Sequence, residues 1–484
     1  MFKRARKNVS KLFKDIKKRS TSIRFVTRYS HKKSSGRCIE EISEDDLTIK
    51  QIKALGVPNF YEDPNLNKFK NKYLDSFLIE REALIAGLRV RRFNDLLFEA
   101  KDEIGTTIGF HWSTGFSPSV FATHLSTNKH LVKTILALKN IPIAEGNLFS
   151  VKDLKNAVDY FNKVNHKCVV KPSVGTGGLG VTTGISSEEE LRWAWDMIIK
   201  SKRTMSRNNG YIIIEEHISG DDFRFIVVGG KVVSVYKRVR AHIVGDGVSS
   251  IAELVNRKKN MRQSNPCLSG KKYVISKYEL LKLNRRKTSI NSIPEKGEVI
   301  FISSSGSISQ GGEPIKISTD DIDASIIKAV EKATNSIPGL LQAGVDMIMQ
   351  DFRLPLSAQK AAICEINKSP AICSHHFPAY GMPVNVAKLM LLTNAKYCDA
   401  VIYNKSVSQD KLTVYIKCLN DIDVIVEEIE KISDELGVKA QIRFKQKEAV
   451  EIHLIGESAL IVPPLLFSGE HTGHILFYES KLLQ

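Results

Sequence analysis

The stretch ICEINKSPAI, residues 363–372, limits the fold more than any other. It is apolar at Ile363, Ile366, Ala371 and Ile372, yet Glu365 and Asn367 stand two apart in its middle. Residues i and i+2 of a strand project to the same face. One face of this strand must therefore meet something that accepts a carboxylate and an amide, because a buried carboxylate without a partner is costly. AGVDMI (343–348) places Asp346 inside an apolar strand in the same way. A hard cation such as Mg²⁺ takes oxygen ligands, often one or two carboxylates together with phosphate oxygens. Asp346, Glu365 and Asn367 supply oxygens of that kind. Pairing of the two acids with arginines is the other reading, and it leaves Asn367 without a reason.

Two further stretches point to a phosphorylated ligand. VVKPSVGTGGLGVTTG (169–184) follows a strand and is rich in glycine. The N–H groups of Gly175, Gly177 and Gly178 can approach phosphate oxygens closely because no Cβ blocks them, and Lys171 adds a positive charge at the strand end. No GK[ST] follows the glycines, so this is not a P-loop. The bland alternative is a mobile turn. IIIEEHISGDDFRFIVVGGKVV (212–233) lies about 30 residues on. A strand ending in Glu215, Glu216 and Ile218 can offer backbone groups to an adenine edge, and the Asp222 carboxylate can accept from ribose hydroxyls. Pairing of Glu215 and Asp222 with Arg224, Lys237 or Arg238 stays open beside that reading.

Around these stretches strands and helices alternate, which predicts an α/β or α+β architecture. FLIEREALIAGLRVRRF (77–93) reads as a helix then a strand, and NKHLVKTILALKNIPIAEG (128–146) as a helix ended by a turn. SVKDLKNAVDYFNKV (150–164) reads as a helix with Ser150 as its N-cap. SSEEELRWAWDMIIKS (186–201) reads as a capped helix, and FRFIVVGGKVVSVYKR (223–238) as a hairpin turning at Gly229-Gly230. Residues 405–484 give a β-α-β-β order that predicts a small ferredoxin-like unit.

Length and hydrophobic content, 484 residues and 42%, suffice for a large core and for two to four domains or subdomains. No run approaches the roughly 18 apolar residues of a membrane span, and no signal-peptide h-region is visible. A cytoplasmic location is expected. The net charge of +18 is concentrated in residues 1–38, which hold 14 Lys and Arg against one acid, Asp15. The body is close to neutral, so no specific nucleic-acid partner is expected. The tail reads as a solvated arm or as a basic amphipathic helix suited to an acidic polymer or to the inner face of a membrane. The seven cysteines are scattered, with no CxxC, and read as free thiols in a reducing compartment.

These motifs, in this order and spacing, resemble the ATP-grasp superfamily, most of all the ATP-grasp parts of cyanophycin synthetase and bifunctional glutathione synthetase. The likeness covers about residues 78–395 and includes STNKHLVKTIL, IPIAEG, VVKPSVGTGGLGV, SISQGG, EINKSPAI and HHFPAYGMPVNVA. The resemblance implies an α+β fold of two subdomains clasping ATP. It also implies an ATP- and Mg²⁺-dependent carboxylate–amine ligase that forms an amide or peptide bond through an acylphosphate, on small amino-acid or peptide substrates. By position, Lys129 and Lys171 resemble nucleotide-binding lysines, the 175–180 loop a lid, Glu215 to Ile218 the adenine hinge, and Asp222 the ribose carboxylate. Asp346, Glu365 and Asn367 resemble ligands of two Mg²⁺ ions, with Mn²⁺ as the alternative ion. His242 and His376 fall in stretches that resemble the substrate pocket.

The expected division is a tail at 1–38, an N-terminal region at 39–127, a lid subdomain at 128–222, a central subdomain with the metal site at 223–400, and a small C-terminal domain at 401–484. The chain departs from the pattern at Ser303, where the relatives carry an arginine. Arg238 and Arg224 are the candidates to take over that catalytic role. The departure keeps open a second reading, a catalytically altered ATP-binding module tethered by its basic tail. The sequence sets no oligomeric state.

Overall fold

The computed structural model describes residues 23–25, 52, 58–59, 61, 64–69, 71–116, 119–164, 166–174, 180–201, 210–285, 287–303, 306–402, 411–419, 422–468 and 474–483. The amphipathic helix expected in the tail lies outside the described residues, as do Gly175, Gly177 and Gly178. Among the described residues no helix is long and apolar enough to cross a membrane.

Two antiparallel five-stranded sheets carry the expected motifs. The smaller runs Ile23–Phe25, Gly146–Ser150, Tyr211–Glu216, Cys168–Pro172, Thr182–Ile185. Helices Leu154–Phe161 and Glu188–Lys200 cover one of its faces, and Phe149, Val170, Trp195, Ile212 and Ile214 form the core between them. Ser187 starts the second helix in a capping box with Glu190. The first helix starts at Asp153, three residues after the expected cap: Ser150 ends the strand Gly146–Ser150 and pairs with Tyr211.

The central sheet runs Glu313–Ile317, Lys231–Val239, Asp221–Val228, Gln342–Met349, Ala361–Asn367. The hairpin between its second and third strands turns at Gly229 and Gly230, whose φ values of 59° and 78° suit glycine. Phe223, Phe225, Val345 and Met347 face helices Lys129–Leu138 and Ala324–Asn335. The opposite face carries Asp222, Arg224, Ile226 and Val228 in alternation. Ile226 and Val228 are sealed by the core that includes helices Asn71–Ile85 and Val386–Tyr397. Asp222 and Arg224 lie beyond that seal, where the sheet meets the cleft.

A seven-stranded sheet joins the two ends of the described chain, in the order Lys439–Gln446, Ala449–Ile455, Lys411–Cys418, Ile475–Leu482, Arg89–Arg92, Leu97–Lys101, Thr107–His111. Its central seam pairs Tyr478 with Arg92. Arg92 is fully buried and donates to Glu80 at 2.7 Å, while the Tyr478 hydroxyl donates to the same carboxylate at 2.6 Å. The four strands between Lys411 and Leu482 therefore share one sheet with the three between Arg89 and His111, and one core with helix Asn71–Ile85.

Candidate active site

A cavity of about 190 Å³ lies between the small and central sheets. Ala144, Val169, Val181, Ile218 and Ile348 give it apolar walls, and Lys129, Lys171, Glu215 and Glu365 give it a charged end. Ala144, Ile218 and Ile348 of this lining pack together over Ala362, an apolar surface of the kind that accepts an aromatic ring.

The charged end is built around one buried carboxylate. Lys171, near the end of strand Cys168–Pro172, donates to Glu215 Oε1 at 2.6 Å. Lys133, from helix Lys129–Leu138, donates to Glu215 Oε2 at 2.5 Å. Burial alone would raise the Glu215 carboxyl, but the two ammonium groups overrule it and hold it below the usual carboxylate range. Two cations on one carboxylate leave one excess positive charge at the wall, which favours an anion such as a phosphate.

Facing this group, Asp346 and Glu365 are direct cross-strand partners, and Asn367 lies two residues further along opposite Gly344. Lys129 Nζ stands 3.6 Å from Glu365 Oε2. Asp346 is held by Arg224, which donates through both Nε and Nη2, the latter at 2.9 Å, and by Arg238 Nη2 at 3.0 Å. Burial would raise the Asp346 carboxyl; the two guanidinium groups keep it low. Arg238 also donates from Nη1 to both oxygens of Asp222, at 2.7 and 2.8 Å, and so bridges the two acids.

A family model described as phosphoribosylglycinamide synthetase, ATP-grasp (A) domain, matches residues 127–247, a span holding Lys129, Lys133, Lys171, Glu215, Asp222 and Arg238. That stretch, about a quarter of the chain, is what the ATP-grasp domain model matches. The chain is similar to cyanophycin synthetase of Trichormus variabilis, 33% identical over 274 residues that cover 55% of this chain and 29% of that protein. It is also similar to the glutathione biosynthesis bifunctional protein GshAB of Clostridium perfringens, 29% identical over 368 residues that cover 71% of this chain and 46% of that protein. The chain thus spans less than half the length of these two curated relatives. A crystal structure of a bifunctional glutathione synthetase from Pasteurella multocida aligns with a TM-score of 0.48 at 23% identity, covering 64% of this chain and 42% of that one.

Within the chain the expected residues fall into groups. Lys129, Lys171, Glu215, Glu216, Ile218 and Glu365 all line the cavity. Glu215 does more than shape a hinge: its side chain is the anchor for two lysines. One of them, Lys133, is not among the residues the sequence motifs single out, although it lies four residues after Lys129 and hence on the same helix face. Glu216 is tied to Lys360 at 2.6 Å. Asp222 follows its alternative reading and pairs with Arg238. Arg224 and Arg238, the candidate catalytic arginines, are both engaged with carboxylates.

The two histidines expected at a substrate pocket are placed inside the protein and line neither this cavity nor the hollow adjoining it. His376 Nε2 accepts from the backbone N–H of Ala387 at 3.0 Å, and burial pushes the imidazole down to about 3. His242 Nδ1 lies 2.9 Å from the Arg240 carbonyl, and burial with Lys258 beside it pushes that ring down to about 4. Both rings are therefore neutral at pH 7.

The residues fit a hard cation in donor chemistry. Asp346, Glu365 and Asn367 bring oxygen donors together at adjoining positions of neighbouring strands. The arginines on Asp346 offset part of the acid charge.

Proposed function

We propose that the chain is an ATP- and Mg²⁺-dependent carboxylate–amine ligase acting on amino acids or peptides. The observation that carries this reading is the one cavity shared by Lys171 and Glu215, which Lys133 also holds, with Glu365, the cross-strand partner of Asp346 and strand neighbour of Asn367. Its relatives are named as synthetases of cyanophycin and glutathione, products that contain amide bonds, and this supports the reaction class.

In this reaction a substrate carboxylate oxygen takes the terminal phosphoryl group of ATP, and ADP leaves. An amine then attacks the acyl carbon, phosphate leaves, and the amine gives up a proton. The adenine lies against Ala144, Ile218 and Ile348, with backbone groups of the 215–218 segment at its edge. Lys129 and Lys171 meet the phosphates. Lys171 is held in place because Glu215 is clamped from its other side by Lys133. Arg224 and Arg238 fix the Asp346 carboxylate, and Arg238 couples it to Asp222. Asp346, Glu365 and Asn367 would hold the divalent ions, which neutralise phosphoryl charge and align the attacking and leaving oxygens.

The test is incubation with ATP, Mg²⁺ and pooled amino acids and peptides, followed by ADP measurement and mass spectrometry. The expected product has the summed mass of two substrates less one water. ATP binding with no ADP and no condensed product across broad pools would replace this reading with that of a nucleotide-binding module.

A further inference from the structure

Two thiols that the proposed reaction does not use meet in the core. Cys267 Sγ lies 3.0 Å from Cys373 Sγ, although the residues are 106 apart in sequence. Both side chains are buried. Each backbone is held firmly. Cys267 sits in the turn after helix Ile251–Arg262, where Asn265 Oδ1 accepts from the N–H groups of Cys267 and Leu268 at 2.9 and 3.2 Å. Asn265 Nδ2 in turn donates to the Phe377 carbonyl at 3.1 Å. Cys373 opens the short helix Cys373–His376, and its N–H donates to Asp75 Oδ1 at 2.7 Å. The two sulfurs are therefore aimed at each other by elements that are independently fixed. Their separation exceeds a disulfide bond of about 2.05 Å by roughly 1 Å.

We infer that Cys267 and Cys373 form a redox modification site whose disulfide staples the turn after helix Ile251–Arg262 to the loop leaving the Glu365–Asn367 strand. The contact between the two sulfurs lowers the Cys267 thiol and raises that of Cys373, which makes Cys267 the better placed of the two to act first. With hydrogen peroxide as the oxidant, the Cys267 sulfur attacks one peroxide oxygen. The O–O bond breaks, leaving a sulfenic acid and one water. The Cys373 sulfur then attacks the Cys267 sulfur and the S–O bond breaks. The departing hydroxide leaves with the Cys373 proton as a second water. Two thiols lose two electrons and the peroxide gains them. The closed loop, 267–373, encloses Asp346, Glu365 and Asn367, so the bond restrains the unfolded chain across the whole metal-bearing part.

The full chain is treated with hydrogen peroxide under native conditions, then denatured, alkylated with N-ethylmaleimide and digested. The expected result is a peptide pair joining Cys267 to Cys373, an intact mass lower by two hydrogens, and a melting temperature raised by a few degrees that dithiothreitol restores. Cys267→Ser and Cys373→Ser should each abolish the cross-link and the shift. Complete alkylation of both cysteines after peroxide, or cross-links that involve only other cysteines, would overturn the inference; the peptide map of the unaltered chain decides this even where a serine variant folds poorly.

Discussion

Asp346 and Glu365 face each other across one step of an antiparallel ladder, two acids side by side on the same sheet face. Like charges in that position repel. The pair is tolerated because Arg224 and Arg238 hold Asp346 and Lys129 approaches Glu365.

Glu365→Gln keeps the shape and removes one of the two charges. ADP formation should fall by at least the roughly 10–100-fold that loss of a group supporting an ion ligand costs, because this change removes a ligand itself. Thermal unfolding should be unchanged or slightly raised, because a repulsion is relieved. Calorimetric titration of ATP with and without Mg²⁺ gives the second readout, since the ion's contribution to nucleotide affinity should shrink. Undiminished turnover in this variant would refute the metal assignment.

Glu215→Gln removes the anchor of two lysines and leaves uncompensated buried cations. Breaking such a group costs about 3–5 kcal/mol. The folded carboxyl titrates below its ordinary value of 4.5, so its contribution is fully present above about pH 4.5 and is lost as pH falls through the lower folded value. The melting-temperature gap between the natural chain and Glu215→Gln should thus be wide at pH 7 and close at acid pH. A gap that stays constant from pH 7 to pH 3 would show that Glu215 acts through packing alone.

Arg238→Lys tests the bridge between Asp222 and Asp346. A single ammonium cannot reproduce a guanidinium that contacts both acids at once. kcat/KM for ATP should drop by roughly 10–100-fold, in the range seen when groups that orient ligands are lost. Much of the loss should appear in KM if Asp222 meets the ribose. Arg224→Lys, which disturbs Asp346 without touching Asp222, should lower kcat with less effect on KM. Equal effects of the two variants on both parameters would argue against separate roles.

The cleft was legible where its chemistry interrupts a regular period. Glu365, Asn367 and Asp346 stand out because a polar side chain in an apolar strand must meet a charge or a hydrogen-bonding group to offset its lost hydration. Lys171 is marked by its strand end beside the glycines. Lys133 was hidden because a lysine on an amphipathic helix reads as solvent-facing; only its four-residue spacing from Lys129 hinted at burial. His376 was singled out by the likeness of its stretch to a substrate loop, and its burial and its bond from the Ala387 N–H were not readable from that likeness. The pairing of Tyr478 with Arg92 was not readable at all, since strand edges far apart in sequence carry no mark of their partner.

Gly344 sets how closely Arg224 can cross the sheet. A Cβ at this position would lie 2.8 Å from Arg224 Nη1 and 2.9 Å from Pro370 Cβ. Gly344→Ala should therefore cost about 1–3 kcal/mol by overpacking. It should also weaken turnover, because the guanidinium is pushed off Asp346. Gly109, in strand Thr107–His111, is the control, since a Cβ there meets nothing within 4 Å. Gly109→Ala should change stability by no more than about 0.5 kcal/mol and leave ADP formation intact. Denaturant unfolding and ADP assays of the two variants together separate a packing requirement beside Arg224 from a general intolerance of alanine in the sheets; a Gly344→Ala chain as stable and active as the natural one would show that Arg224 has room to spare.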